Sequence, residues 1–433
     1  MNKLARKAKF VQREGKLNGS LFLDLIVFNS ENLKSQSLND LSIGLKDKYG
    51  VEITKQSLHD RFSKYALFFL KDVLEKLLNK KLRGKQSFLT DFKGFNRVLI
   101  KDSTCFQVDK SLAEYYPGSG GSGSKASIRI QFEYNILSGK INDLSVNAFN
   151  AQDAKNSVAT IELTESKDLI IRDLAYMSLK VLKLIAKKAS FFLCRASTNV
   201  TIYEKREEQY VKVDFIKTTY YMKNNNIKCM EKNVYLGNKE KFKVRLILHL
   251  LPEKEVAKRL RASKKNNKKK GRGNLSKEYK ARANLNLFIT NTSQEQIPMN
   301  NVWQLYRQRW QIELIFKIWK SICDIAKVKK VKKYRLECYI YSKLILIVLC
   351  WQITWKIAKN LFIKEGKALS FLKISKTLFH KKIHELREIF MGSIGSIEMF
   401  INNIYDLSKT NHLLEKKQNI PTSLEQLLCC LNI

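Results

Sequence analysis

Tyr306, Arg309, Glu313 and Lys320 stand at offsets 0, 3, 7 and 14 within Met299 to Cys323, MNNVWQLYRQRWQIELIFKIWKSIC. Three of these are residue types for holding phosphate. A guanidinium offers a planar fork, an ammonium a point charge and a phenol a hydrogen bond, here beside a carboxylate. The stretch has no Pro or Gly and repeats apolar residues at Leu305, Ile312, Ile315 and Trp319, so it reads as one amphipathic helix. At roughly 100° per residue the four polar residues fall within an arc of about 60°. They share one face, beside an apolar flank that can pack on a core. An ordinary solvated face shows the same pattern, so any chemistry needs partners elsewhere in the chain.

Two apolar runs upstream lead into aspartates. Arg97 to Thr104, RVLIKDST, reads as a buried strand presenting Asp102 at its C-terminal end, and Asp168 to Asp173, DLIIRD, ends in Asp173. Between them come a loop through Tyr116-Pro117-Gly118 and a Gly/Ser run to Ser124, and then a hairpin. Its strands are Ser127 to Asn135 and Ile141 to Phe149, turning at Ser138-Gly139-Lys140, and a helix over Asp153 to Thr164 follows. After Asp173 the pattern gives a helix to Lys188 and a strand over Phe191 to Ala196. Strand with Asp, hairpin, helix, strand with Asp, helix, strand is the order of an RNase H-like fold, in which the two aspartate strands lie side by side. The expected class is α/β, with a mixed sheet flanked by helices.

The helix also spells Y-x2-R-x3-E-x6-K through Tyr306, Arg309, Glu313 and Lys320, which resembles the signature of DDE transposases of the insertion sequence 4 family. Asp102, followed by Ser-Thr after an apolar strand, and Asp173, followed by Leu-Ala-Tyr, resemble that family's first and second carboxylate neighbourhoods. The resemblance covers about residues 97 to 355. It implies that Asp102, Asp173 and Glu313 are catalytic and hold two Mg²⁺ ions, for which Mn²⁺ can substitute, with Asp102 bridging both ions. Two hard cations about 3.5 to 4 Å apart neutralise the attacking and leaving oxygens of an in-line phosphodiester displacement. Tyr306, Arg309 and Lys320 would bind DNA phosphates. The implied partners are double-stranded DNA, as terminal inverted repeats and target, and a second copy in a homodimer. The family often carries a base-stacking Trp in the strand that is here Leu285 to Thr290; this sequence has Asn286 there, which leaves base capture and a DNA hairpin intermediate open.

Composition agrees with a polyanionic partner. The 433 residues carry 80 Lys and Arg against 40 Asp and Glu, a net charge of +40. A Lys-, Asn- and Ile-rich chain is expected of an AT-rich genome, but that bias does not account for a twofold excess over acids. The eight cysteines lack CxxC spacing, Cys429-Cys430 being the only close pair, so reduced thiols in a bacterial cytoplasm are expected, near the nucleoid. His380 and His384 are spaced i, i+4 but lack a third ligand nearby. The basic start MNKLARKAKFVQREGK has no apolar run behind it, so no signal peptide is expected. Leu344 to Trp355 is too short to span a bilayer and reads as a buried helix, so no membrane is implied.

Five regions follow. Residues 1–90 form a helical DNA-binding region with a helix-turn-helix pattern: Ser37 to Tyr49, a stop at Gly50, and a second helix capped by Thr54 and running to Tyr65. Lys55, Gln56 and Arg61 would face DNA there, alongside His59, with Leu58, Phe62 and Tyr65 inward. Residues 91–197 hold the first part of the core and 299–358 the second. Residues 198–298 are a β-rich insertion, with strands at Val211–Asp214, Val234–Leu236 and Val244–His249. It includes a flexible basic loop, Lys254 to Arg282, with thirteen Lys or Arg against two Glu; Lys268, Lys269, Lys270 and Arg272 are its candidate phosphate contacts. Residues 359–433 are helical. Two other readings remain open on sequence: a two-metal nuclease that never joins ends, and a non-catalytic DNA-binding regulator.

Overall fold

The computed structural model describes residues 1–29, 35–79, 94–119, 124–150, 153–196 and 200–415. Its centre is a ten-stranded mixed sheet ordered β3-β2-β1-β4-β5-β10-β9-β8-β6-β7. The first half comprises β1 (Arg97–Gln107), β2 (Ser127–Asn135), β3 (Ile141–Ala148), β4 (Asp168–Arg172) and β5 (Phe191–Arg195). The second comprises β6 (Ile202–Arg206), β7 (Gln209–Lys212), β8 (Cys229–Leu236), β9 (Phe242–Leu250) and β10 (Leu285–Thr290). β1, β4 and β5 run parallel, and every other pairing is antiparallel.

The runs VLI and LII are continuously apolar because β1 and β4 are covered on both faces. Val98, Ile100, Leu169, Ile171, Leu193 and Phe288 enter one core with Leu305, Ile312, Ile315 and Trp319. The alternate residues Leu99, Ile170 and Phe192 enter a second core under Val181, Leu182 and Ile185 of the helix Leu179–Lys187. The helix Lys333–Glu365 is longer than the expected Leu336 to Lys359, and 89% of its most apolar window is buried. That burial explains a hydropathy that would pass for a membrane span. Its Trp351 Nε1 donates to the Gly139 carbonyl at 2.7 Å, fixing the hairpin turn against the helix. Gly139 is required there: φ is +71°, and a Cβ would sit 2.2 Å from the Trp355 ring.

Several expectations change. β1 runs on to Gln107, paired with β2, so Asp102 lies mid-strand, beside the point where the shorter β4 stops. The single helix over Met299 to Cys323 is two, Met299–Arg307 and Trp310–Ser321, joined by a turn closed by i→i+3 bonds such as Arg309 N–H to Tyr306 O. Lys254 to Arg282 is not a flexible loop. Glu253–Lys269 is a 17-residue helix and Lys277–Arg282 a short second one, because a Lys- and Arg-rich run without Pro is a good helix former whatever its charge. The strands of residues 198–298 continue the same sheet, through the pairing of β10 with β5. The helix Phe215–Asn224 and strand β6 were not anticipated.

At the N-terminal end Leu38–Tyr49 ends at Gly50 in the left-handed conformation, and Thr54 caps the next helix, both as expected. That next helix is only Lys55–Arg61, short of the expected Tyr65, because the chain leaves helical geometry at Phe62 to bury its ring against Tyr339. His380 and His384 fall on separate elements either side of Lys382. Cys429-Cys430, and the Gly/Ser run at 120–123, lie outside the described residues.

Candidate active site

Register brings the two aspartates together. Lys101 pairs with Arg172 across parallel β1 and β4, so the next residues, Asp102 and Asp173, are neighbours about one strand spacing apart. Being two residues beyond Ile100 and Ile171, they project from the face that carries the Met299–Arg307 and Trp310–Ser321 helices. Arg309, in the turn between those helices, reaches down to them. Its Nη1 donates to Asp102 Oδ2 at 2.9 Å and its Nη2 to Glu313 Oε1 at 2.8 Å, which holds those carboxylate oxygens within about 8 Å of each other. Tyr306 OH donates to Asp173 Oδ1 at 3.4 Å while its ring lies 5.0 Å from Phe288.

Burial pushes the Asp102 carboxyl up to about 6; its own Ser103 N–H, at 2.8 Å, and Arg309 oppose the rise, and the charges of Asp173 and Glu313 add to it. Burial works against the Arg309 charge too, but Tyr306 and all three carboxylates outweigh it and hold the guanidinium above its usual range. In this conformation no three His, Cys, Asp or Glu side chains among the described residues gather tightly enough to hold one ion. Arg309 lies between Asp102 and Glu313, as a cation must when like charges share a site. The donor set fits a hard divalent cation: carboxylate oxygens, one of them desolvated and raised by its neighbours, around a position already claimed by positive charge.

Beside this cluster opens a cleft of about 560 Å³, lined by Asp102, Thr104, Glu313, Lys317 and Lys320 among others. Lys320 lies on the cleft as expected. Tyr306 and Arg309 do not; both are buried and turned to the carboxylates. Lys317, one helical turn from Glu313, joins the site unanticipated; its spacing was there to be read but lay outside the four-residue pattern. Of the other residues, Lys55 and Gln56 are exposed, and Gln56 donates to Asp60. Arg61 does not face outward: it donates to the Phe10 and Leu17 carbonyls and covers the Phe10 ring. Lys268, Lys269, Lys270 and Arg272 are exposed at the far end of the basic helix.

Residues 93–349 match the family described as the transposase DDE domain, and the chain belongs to that family. The family match carries with it dependence on a divalent metal. Among relatives, the chain is 34% identical over 387 residues to the transposase for insertion sequence element IS231F of Bacillus thuringiensis subsp. israelensis, covering 86% of this chain and 81% of that one. It is 32% identical over 419 residues to the transposase for insertion sequence element IS1151 of Clostridium perfringens, covering 93% and 87%. It is 30% identical over 435 residues to the transposase for IS231B of Bacillus thuringiensis subsp. berliner, covering 96% and 90%.

Proposed function

We propose that this chain is a cut-and-paste transposase that cleaves DNA at the inverted-repeat ends of an insertion sequence and joins the freed 3′-hydroxyls to target DNA. The observation that carries the reading is that Arg309 joins Asp102 to Glu313 beside Asp173, two aspartates on one sheet face and a glutamate on the helix that covers it, all from distant parts of the sequence. The β1-β2-β3-β4-β5 half of the sheet, with its order and parallel aspartate strands, supports an RNase H-like core. Residues 198–298 are then its insertion, 91–197 and 299–358 its two parts, and 1–90 and 359–433 the flanking regions, helical where they are described.

Two Mg²⁺ ions, with Mn²⁺ as a substitute, would neutralise the oxygens that attack and leave the phosphorus. Asp102, Asp173 and Glu313 are the residues that would hold them. Arg309, released from the carboxylates, offers its fork to a phosphate; Tyr306 keeps Asp173 oriented through its hydroxyl. Lys320 lies on the open cleft, where it can hold the backbone of the bound strand. Lys55 and Gln56, and the end of the basic helix at Lys268, Lys269, Lys270 and Arg272, supply contacts along the inverted repeat. Two copies acting as a homodimer would bring two ends together in the bacterial cytoplasm.

The test is a plasmid carrying the element's two ends. With Mg²⁺ the protein should release the element and insert it into a second plasmid, and Asp102→Ala, Asp173→Ala and Glu313→Ala should each still shift end DNA without cutting it. Release without joining would establish the nuclease reading instead, and metal-independent binding without cutting would establish the regulator.

A further inference from the structure

The polar row that begins at the aspartates continues across the sheet. Ile171 pairs with Leu193 in parallel β4 and β5, so Arg195, two residues on, stands level with Asp173 and on the same face. Phe288 pairs with Arg195 across antiparallel β5 and β10, and Asn286 lies two residues from Phe288 on that face again. At about 4.8 Å per strand and 3.4 Å per residue along it, Arg195 lies roughly 5 Å from Asp173 and Asn286 roughly 12 Å. At about 3.4 Å of rise per nucleotide the nearer is one to two nucleotides away and the farther three to four.

Asn286 is buried, and its Oδ1 accepts from two guanidiniums at once: Arg259 Nη2 at 2.8 Å and Arg195 Nη2 at 3.3 Å. Arg259 comes from the first half of the basic helix, and its Nη1 donates to the Ala283 and Leu285 carbonyls at 3.2 and 3.0 Å. Among the described residues neither arginine forms an ion pair with a carboxylate. Burial, and then the neighbouring Arg195 charge, pull the Arg259 guanidinium below its usual range. Two partly desolvated cations share one neutral oxygen with no carboxylate among the described residues in contact with either, an arrangement that an anion placed between them would stabilise.

We propose that Arg195 and Arg259, oriented by Asn286, form a clamp for a single DNA phosphate within about four nucleotides of the cleavage point. This rests on the transposase reading and adds a substrate contact that the four-residue helix pattern does not contain. The DNA backbone then runs from Lys320 past the carboxylates to the arginine pair. Asn286 is the positioning residue: it holds the two forks together on one oxygen without neutralising them.

The experiment measures affinity for end DNA against salt, with single neutral methylphosphonates at each phosphate near the cleavage point. For the wild type one such position should cost about tenfold in affinity. Arg259→Gln and Arg195→Gln should lose a similar factor, flatten the log K against log salt slope by about 0.9, and lose nothing further at that position. Asn286→Asp guards against mere misfolding. It puts a carboxylate between the guanidiniums, so its melting temperature should not fall, yet its affinity should drop about tenfold. A wild type that cuts ends with Mg²⁺ while the variants keep its slope, and the methylphosphonate and substitution effects add, overturns the clamp alone. A wild type that neither binds nor cuts its ends overturns the transposase reading and the clamp with it.

Discussion

Lys101 and Asp102 are consecutive in β1, and Arg172 and Asp173 are consecutive at the end of β4, yet they belong to opposite electrostatic worlds. On the far face, Arg172 donates to Glu133 through Nη2 at 2.5 Å and Nε at 3.1 Å, and to Ser157. Lys101 donates to Asp143 at 2.6 Å and to Thr160, and Asn142 completes Glu133. Two cations meet two anions, and Lys101, Arg172 and Glu133 are all fully buried. On the near face Asp102 and Glu313 share one arginine with Asp173 beside them, and Glu313 is 42% exposed. Charge that is fully paired and dry holds a register; charge left in excess at a cleft is there for a ligand. A one-residue slip of β1 would exchange the two sets, which is why a saturated network directly behind the aspartates matters to them.

The comparison can be broken from either side. On the near face, Asp102→Asn, Asp173→Asn and Glu313→Gln should each cut the Mg²⁺-dependent cleavage rate by about 10³-fold or more, since each removes metal-borne stabilisation of several kcal/mol, with little change in melting temperature. A variant that is merely unstable but cleaves per folded molecule like the wild type would move that residue to the structural side. On the far face the signature reverses. Arg172→Met leaves Glu133 buried without its fork and should cost about 3 to 5 kcal/mol in urea unfolding, and Arg172→Met with Glu133→Leu should cost clearly less than the two single changes together. Additive losses would mean the pair is not coupled.

A smaller effect separates the faces by pH. Asp102, raised from 3.8 to about 6, holds its proton more tightly folded than unfolded. Its contribution is therefore full below about pH 4 and is lost as pH rises through 6, by an amount on the order of 2 kcal/mol after allowing for partial exposure. In metal-free buffer Asp102→Asn should remove that part of the wild-type decline between pH 4 and 6.5; parallel curves would contradict the raised value. The smallest effect concerns Arg61, a residue whose type suggested DNA but whose donors are used on the Phe10 and Leu17 carbonyls. Arg61→Gln should lower stability by about 1 kcal/mol and leave end binding by folded protein unchanged, whereas Lys55→Gln should weaken binding without changing stability. Weaker binding by Arg61→Gln at unchanged stability would return it to the DNA face.

What the sequence showed and what it hid divide along the same line. Apolar runs ending in Asp173 and containing Asp102, the hairpin at Gly139 and the polar set on the Glu313 helix are local patterns, and each was legible. The order of strands then implied that the aspartates meet. The charged residues behind them, Lys101, Glu133 and Arg172, were not legible as core, because a buried charge is recognised only by its partner, and those partners lie up to 42 residues away. The break at Arg309 was equally hidden: nothing in RQRW is a helix breaker, and the turn exists because tertiary contacts draw Arg309 onto Asp102. The charge of Glu253–Lys269 reads as a loop while its helix propensity reads as a helix, and the structure follows the propensity. Arg259 is hidden with it, since only the helix brings it back onto β10.

The most direct test of the central claim is a crystal structure with end DNA and Mn²⁺, read by anomalous scattering. Two manganese peaks about 3.5 to 4 Å apart should lie between Asp102, Asp173 and Glu313, with Asp102 touching both and Arg309 displaced onto a phosphate. Manganese bound elsewhere, or end DNA bound with Arg309 still bridging Asp102 and Glu313 at saturating metal, would contradict it.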